Sequence, residues 1–301
     1  MLHGMRNARW WRTPLAVLAV TGLLLAGVGT AGAVLPTIAE TIYNSVPEVF
    51  PGSFPSLGYA ATATSEFGDH IAFGGVGRQL TTVEVSLTSW TCQNDFDSAG
   101  APLRDNDDAC ITTPGTGYLH PITLNLYAVD NSGAAPAVGA LLATKTATFT
   151  IPYRPSWDDV NCTAAGQTPE TYQPFGGKWY DPVQGMCVTG YAFLLTFDFT
   201  ADALVLPDEV IFGIAYNTSH YGSNPIGVTG DYDSLNVSVG PNGPTVGDTD
   251  VADAFLNSTW GGNYCDGGTG GTGTFRLDAG CWTGYVPVAR FSTVSPVCDG
   301  L

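Results

Sequence analysis

The stretch TVEVSLT, residues 82–88, alternates polar and apolar residues with a period of two. Successive side chains of a β-strand point to opposite faces of a sheet, so this pattern predicts a strand with one buried face. Residues 210–216 are more continuously apolar and predict a central strand covered on both faces. The remaining predicted strands are 59–64, 70–73, 122–128, 143–151, 191–199, 235–239, 273–277 and 286–291.

No segment after residue 40 shows a sustained helical period with caps at both ends. The 38 glycines and 20 prolines are spread between the predicted strands, where they are typical of turns. Many short strands separated by turns predict an all-β fold. We expect a single large β-sandwich of jelly-roll character over residues 59–301. Residues 34–58, which are rich in proline, are expected to form an extended lead-in along its surface.

The first 33 residues have the three parts of a secretory signal peptide. A basic start with three arginines precedes an apolar core over residues 15–25 and the small-residue cleavage pattern Ala31-Gly32-Ala33. An uncleaved anchor helix is the alternative, because residues 15–35 approach the length that spans a bilayer. The glycines that follow the apolar core favour cleavage, so the sequence predicts a secreted, extracellular protein without a membrane anchor.

The chain is strongly acidic, with a formal net charge of −17. Removal of the three leader arginines would take this charge from −17 to −20. Such a surface repels phosphate backbones and anionic lipids, so neither nucleic acid nor a membrane surface is an expected partner. The charge instead favours solubility or the binding of cations.

All seven cysteines follow the predicted leader, in agreement with an oxidising compartment. Pairing of neighbours along the chain gives the disulfides Cys92–Cys110, Cys162–Cys187 and Cys265–Cys281, each closing a loop of about 15–25 residues. Local pairing is favoured because each pair brackets a segment rich in Gly, Asp or Pro, although sequence alone does not determine connectivity. Cys298 is left over and is either free or joined to a second chain. We therefore expect a monomer, with a Cys298-linked dimer as the alternative.

Several separated blocks of the chain carry a family resemblance. They are IYNSVPEVFPGSFPSLGYAATATSEFGDHIAFGG (42–75), HPITLNLYAV (120–129), FTIPYRPS (149–156), PDEVIFGIAYNTSHYG (207–222) and STWGGNYCDGGTGGTGTFRLD (258–278). In this order they resemble a family of uncharacterised exported bacterial proteins, and loosely the surface-protein ectodomains that accompany cell-envelope anchors. The resemblance implies an exported β-sandwich and transfers no catalytic residue.

The loop WGGNYCD, residues 260–266, has the composition of a sugar-binding site. A flat sugar face packs on an aromatic ring, while neighbouring Asn and Asp side chains bind hydroxyl groups. Trp260, Asn263, Tyr264 and Asp266 are therefore the candidate ligand-binding residues. The alternative is that such rings cover disulfides and close the ends of the sandwich.

Aspartate clusters suggest a second kind of site. The candidate metal ligands are Asp105, Asp107 and Asp108, and a similar group follows at Asp248, Asp250 and Asp253. No cofactor is expected, and weak calcium binding is the one alternative, because calcium prefers carboxylate oxygens on flexible loops. The spacing does not match an EF-hand, and a solvated acidic turn is the alternative.

Catalytic motifs are absent from the sequence. There is no G-x-S-x-G elbow, and the glycine-rich run 268–273 leads into a predicted strand, whereas a dinucleotide site needs a helix there. The chain is therefore interpreted as a non-catalytic extracellular or cell-surface module that binds glycan or another surface component through long end loops, the insertions 92–121, 152–190 and 240–272. The alternatives are a secreted polysaccharide hydrolase, which needs a cleft with converging acids, and a structural cell-envelope protein.

Overall fold

The structure is a computed structural model that describes residues 37–52, 54–93, 110–162, 179–217, 235–240 and 243–296. The predicted leader 1–33, the cluster Asp105, Asp107 and Asp108, and Cys298 lie outside these residues. Within the described ranges, no helix is long and apolar enough to cross a membrane.

The regular structure of the described residues is mostly β-strand, with one short α-helix. In chain order the elements are β1 (Thr37–Asn44), β2 (Ser56–Gly58), α1 (Tyr59–Thr62), β3 (Thr64–Ala72), β4 (Gln79–Ser89), β5 (Gly117–Asp130), β6 (Ala137–Pro152), β7 (Trp179–Asp181), β8 (Met186–Val188), β9 (Tyr191–Asp198), β10 (Glu209–Ala215), β11 (Leu235–Gly240), β12 (Asp248–Thr249), β13 (Ala254–Ser258), β14 (Arg276–Asp278), β15 (Val286–Pro287) and β16 (Ala289–Pro296).

The strands form two large antiparallel sheets and a small hairpin, β7–β8. Sheet 1 follows the order β1-β16-β4-β11-β15, with β9 beside β4 and β2 beside β11. Sheet 2 follows the order β14-β13-β3-β10-β5-β6, with β12 beside β3. The predicted all-β class is confirmed. The jelly-roll connectivity stays a prediction.

One hydrophobic core joins the two sheets. In β4 the alternate residues Val83, Val85 and Leu87 are fully buried, as the TVEVSLT pattern predicts. Ser86 and Thr88 of the other face are fully buried as well, so the expectation of a single buried face is wrong for the second half of this stretch. Ring contacts cross between the sheets: the centroids of Phe212 and Phe291 lie 5.7 Å apart, and those of Phe149 and Phe197 lie 5.0 Å apart. These contacts show that the sheets pack face to face as a sandwich.

The strand β10 has neighbours on both sides and is covered on both faces. It pairs with β3 and β5, and its residues from Val210 to Ile214 are buried. The continuous apolar run over residues 210–216 predicted this central position.

Part of the predicted lead-in 34–58 belongs to the sandwich itself. Its residues 37–44 form β1, which pairs with β16 along the edge of sheet 1. Ile42 and Tyr43 are consecutive and yet both fully buried. The register of β1 shifts between Thr41 and Tyr43, and such a bulge breaks the two-residue alternation by which a strand is recognised.

The segment 59–64 was predicted as a strand, but its first part is the helix α1. The buried hydroxyl of Tyr59 donates to the backbone carbonyl of Ile214, and its ring stacks on Tyr216 at 4.2 Å. Ala63 ends the helix in the left-handed region with φ of 49°. Tertiary contacts of one tyrosine thus decide the local structure over a sequence of mixed preference.

The three predicted disulfides are confirmed. Cys92–Cys110, Cys162–Cys187 and Cys265–Cys281 have Cα–Cα distances of 5.5, 5.6 and 5.7 Å. The first two bracket segments that the structure describes only in part.

Strand directions give the sandwich two distinct ends. At one, which we call the loop end, β3 and β5 begin while β6, β10 and β13 end. The described residues 90–93, 110–116, 153–162, 179–190 and 259–275 connect the strands at this end. The predicted insertion 240–272 is not a single loop, because β12 and β13 divide it and its first half, 241–253, belongs to the opposite end.

Candidate functional site

Trp260 stands at the loop end with 54% of its surface exposed. It precedes a single 3₁₀ turn over Gly261–Asn263. A Cβ atom at Gly262 would lie 2.8 Å from the indole ring, so the ring rests against the backbone of this glycine. Trp260 therefore offers an aromatic surface to solvent, as a sugar-binding platform requires.

The other three candidate residues of this loop, Asn263, Tyr264 and Asp266, make contacts that stabilise the fold. Tyr264 is only 4% exposed, and its hydroxyl accepts a hydrogen bond from the Ser258 backbone at 2.9 Å. Arg276 covers the Tyr264 ring, with its guanidinium carbon 4.2 Å from the centroid. Asp266 accepts bonds from two backbone N–H groups of the glycine-rich loop and from Arg276. Asn263 donates to Thr64 at 3.3 Å.

Tyr264 thus belongs to the core, not to a ligand surface, which corrects its expected role. Asp266 and Asn263 hold the loop in place, and Trp260 alone of the four presents a large ring to solvent. The nearby group Cys265, Asp278 and Cys281 has the spacing of a metal site, but both sulfurs are bonded to each other.

A concave site also lies at the loop end of the sandwich. A groove of about 580 Å³ runs between the end of β6, at Thr150 and Pro152, and the start of β9, at Tyr191 and Phe193. The strands β6 and β9 belong to different sheets and do not pair with each other. We call this site the seam groove, because it follows the open seam between the two sheets.

Three tyrosines line the seam groove, namely Tyr153, Tyr180 and Tyr191, and each is partly exposed. Tyr180 is carried by the β7–β8 hairpin, which the Cys162–Cys187 disulfide ties to the preceding loop. The groove also has hydroxyl and carboxylate groups, supplied by Thr116, Thr150, Ser156, Asp158 and Asp181.

The charges of the seam groove are fixed by local hydrogen bonds. The backbone and side-chain N–H groups of Asn161 donate to Asp158 and hold the pKa of that carboxyl below its usual range. Burial raises the pKa of the Tyr191 hydroxyl, and the negative charge of Asp181 adds to this effect. The groove therefore combines an ionised carboxylate at Asp158 with the phenol group of Tyr191, a set that accepts and donates hydrogen bonds.

An acidic pocket of about 510 Å³ lies at the opposite end of the sandwich. Asp69, Asp248, Asp250 and Asp253 line it together with apolar side chains that include Phe255. Here the structure brings together the cluster predicted from residues 248–253 with an aspartate of β3 that the sequence had not connected to it.

Asp69 is the most unusual group of this acidic pocket. It is 1% exposed, and its Oδ2 accepts a hydrogen bond of 2.6 Å from the hydroxyl of Thr249. Burial raises the pKa of Asp69 well above its usual range, the Thr249 bond opposes this, and the charges of Asp250 and Asp253 add to it. The environment thus favours the neutral acid.

This raised pKa predicts a pH-dependent stability. A carboxyl with a raised folded-state pKa stabilises the fold fully below its unfolded pKa of about 3.9, and this contribution is lost as pH rises through the folded pKa. We expect Asp69→Asn to raise the melting temperature at pH 8 by about 2–4 °C, the equivalent of roughly 1 kcal/mol, and to change it less at pH 4.

Thermal unfolding by circular dichroism at pH 4, 6 and 8 measures this effect. Glu48→Gln, which removes an exposed carboxyl, is the matched control and should leave the melting temperature unchanged. Equal shifts for Asp69→Asn at all three pH values would contradict the assignment of a neutral Asp69.

No protein-family model, no curated protein and no solved structure matches the chain. The site therefore has to be interpreted from its own geometry. The resemblance to exported bacterial proteins stays a prediction.

Sequence reasoning missed the seam groove as a site. The block FTIPYRPS, residues 149–156, and the segment 191–195 supply its two walls. Each reads as a strand or strand end on its own, and only their proximity makes a groove. The clustering of aromatic residues near the two disulfide loops was the one available signal.

Proposed function

We propose that this chain is a non-catalytic extracellular module that binds a neutral glycan at its loop end, in the seam groove. The observation that carries the proposal is the convergence of Tyr153, Tyr180 and Tyr191 beside hydroxyl and carboxylate groups in one groove. Aromatic rings pack against the apolar faces of sugars, and the polar groups fix the orientation of the hydroxyls.

The net charge of the chain favours neutral over anionic polysaccharides as ligands. The chain carries a formal charge of −17, and Asp158 and Asp181 line the groove itself. An anionic polysaccharide would be repelled at this surface, whereas a neutral one would not. The three disulfides are compatible with an extracellular setting, where such polysaccharides occur.

Trp260 provides a second contact at the same end of the sandwich. Its indole rests against Gly262, so the ring is held in place before any ligand binds. A ring held in this way loses little conformational entropy on binding, which favours affinity.

The proposal predicts that Tyr180→Ala weakens binding to a neutral polysaccharide by about tenfold or more, the loss expected for an aromatic anchor of a binding site. Isothermal titration calorimetry with soluble glucan, mannan and xylan measures the affinity, and polygalacturonate serves as the anionic comparison. Tyr285→Ala is the matched control, because Tyr285 is 53% exposed but lies at the opposite end. The proposal would be refuted if no neutral polysaccharide gave measurable binding, or if Tyr180→Ala and the unchanged chain had equal affinities.

A second candidate function, a polysaccharide hydrolase, is favoured by the acidic pocket. There Asp69, whose pKa is raised by burial, lies near Asp250 and Asp253, and glycosidases pair a protonated carboxyl with an ionised one. Asp69 would protonate the leaving oxygen while a carboxylate activates water. Release of reducing ends during the same incubations, abolished in Asp69→Asn, would establish the hydrolase in place of the binding module.

A further inference from the structure

No strand among the residues that the structure describes pairs with the outer edge of β6. Sheet 2 ends with this strand, and β5 pairs with it on one side only. β6 is 16 residues long, from Ala137 to Pro152. Such an edge presents a row of main-chain donors and acceptors that another strand can pair with.

The register identifies which residues present these groups. The N–H of Tyr153, just beyond β6, donates to the carbonyl of Thr116 at 3.2 Å, so these two residues form a hydrogen-bonded pair. Bonded and non-bonded pairs alternate along an antiparallel ladder. Thr123–Thr146 and Pro121–Thr148 are therefore non-bonded pairs, and the absence of an N–H on Pro121 fits this assignment.

It follows that four threonines direct their N–H and C=O groups away from β5, toward the outer edge. They are Thr144, Thr146, Thr148 and Thr150. All four side chains are exposed on the outer face of the sheet. Threonine favours strands, and threonines opposite each other across two strands stabilise their pairing.

The single lysine of β6 does not protect its outer edge. A lysine often blocks such an edge, and Lys145 is the one charged residue of β6. Its ammonium group is turned back onto its own chain, where it donates to the Asp198 carbonyl and the Asp202 carboxylate. Lys145 also lies over the Phe199 ring, 4.6 Å from the centroid, so it does not guard the edge.

Charge favours a second copy of this chain at this edge. The chain has 27 acidic residues, yet none of them falls within residues 131–157. Two chains of net charge −17 repel each other over most of their surface, whereas β6 is a long strand that contributes no carboxylate of its own. The exposed Leu141 adds an apolar contact at the same edge.

We propose that two copies of the chain associate through antiparallel pairing of their β6 strands, which joins the two copies of sheet 2 into one continuous sheet. A strand edge is self-complementary under a two-fold axis. The register that uses all four threonines places this axis at Ala147 and sets Thr146 opposite Thr148 of the second copy. The proposal replaces the monomer expected from sequence, and its paired edge shares Thr150 with the seam groove.

Sedimentation velocity with the disulfide-bonded chain tests the dimer, and the Cys298→Ser background removes any covalent link. The dimer is expected to persist in that background at about 100 µM protein and to have a Kd in the micromolar range. Thr148→Pro removes an outward N–H and leaves the β5 ladder intact, so it should raise the Kd at least tenfold without loss of the β-sheet circular dichroism signal.

Thr146→Glu is the second variant, because it places new carboxylates at neighbouring positions of the joint sheet and should also raise the Kd. Ser65→Glu is its matched control, since it adds the same charge to β3, which already has neighbours on both sides. A monomeric chain at about 100 µM, or an unchanged Kd in both folded β6 variants, would overturn the proposal.

Discussion

Gly68→Ala is expected to lower the free energy of unfolding by about 3 kcal/mol or more. Gly68 lies in the middle of β3, between β10 and β13. A Cβ atom there would lie 1.8 Å from the carbonyl oxygen of Phe212 and 2.9 Å from the ring of Phe275. The first of these atoms is backbone in the centre of sheet 2, so it cannot move without disturbing the β3–β10 pairing.

Urea unfolding followed by tryptophan fluorescence measures this loss. Gly243→Ala is the matched control, because a Cβ atom at Gly243 meets no atom within 4 Å. The control should unfold at the urea concentration of the unchanged chain. If Gly68→Ala does the same, the close approach of β3 and β10 is not as described.

The second large effect concerns the Cys92–Cys110 disulfide. Its removal by Cys92→Ser with Cys110→Ser is expected to cost about 3 kcal/mol from the loss of a loop closure, and more from packing. Both cysteines are buried, at 0% and 3% exposure, in a cluster with Trp179 and Val188.

The Cys265–Cys281 disulfide provides the internal comparison. The two bonds span 18 and 16 residues, so their loop-closure contributions are nearly equal. Cys281 is exposed and Cys265 is partly buried, so the packing loss should be smaller there. Chemical unfolding of the two double variants gives the ranking. Equal losses in the free energy of unfolding would show that the burial of Cys92 and Cys110 does not contribute to stability.

Much of the fold follows from the sequence, because alternation along single strands is a local property. The segments 82–88, 122–128 and 143–151 all lie in observed strands. The disulfides could also be predicted from the sequence, since each pair closes a short loop. Local patterns failed at Ile42 and Tyr43, where a bulge breaks the alternation, and at Tyr59, where a tertiary contact selects a helix.

The candidate site was much harder to predict from the sequence. Composition pointed to Trp260, which is exposed, and equally to Tyr264, which is not. Only the fold distinguishes an aromatic ring that covers the core from one that faces solvent. The seam groove, the raised pKa of Asp69 and the outer edge of β6 all depend on which strands lie beside each other, and no local spacing encodes this.

The antiparallel sense of a β6–β6 pair has a geometric consequence for binding. Each copy carries its seam groove at the end of β6, beside Thr150. With the axis at Ala147, the two Thr150 residues lie six residues apart along the strand direction, roughly 20 Å, and the two loop ends point to opposite poles. The two seam grooves of such a dimer would therefore not bind the same polysaccharide chain. The dimer would tether two separate chains, as a cross-bridge within a network of polysaccharide.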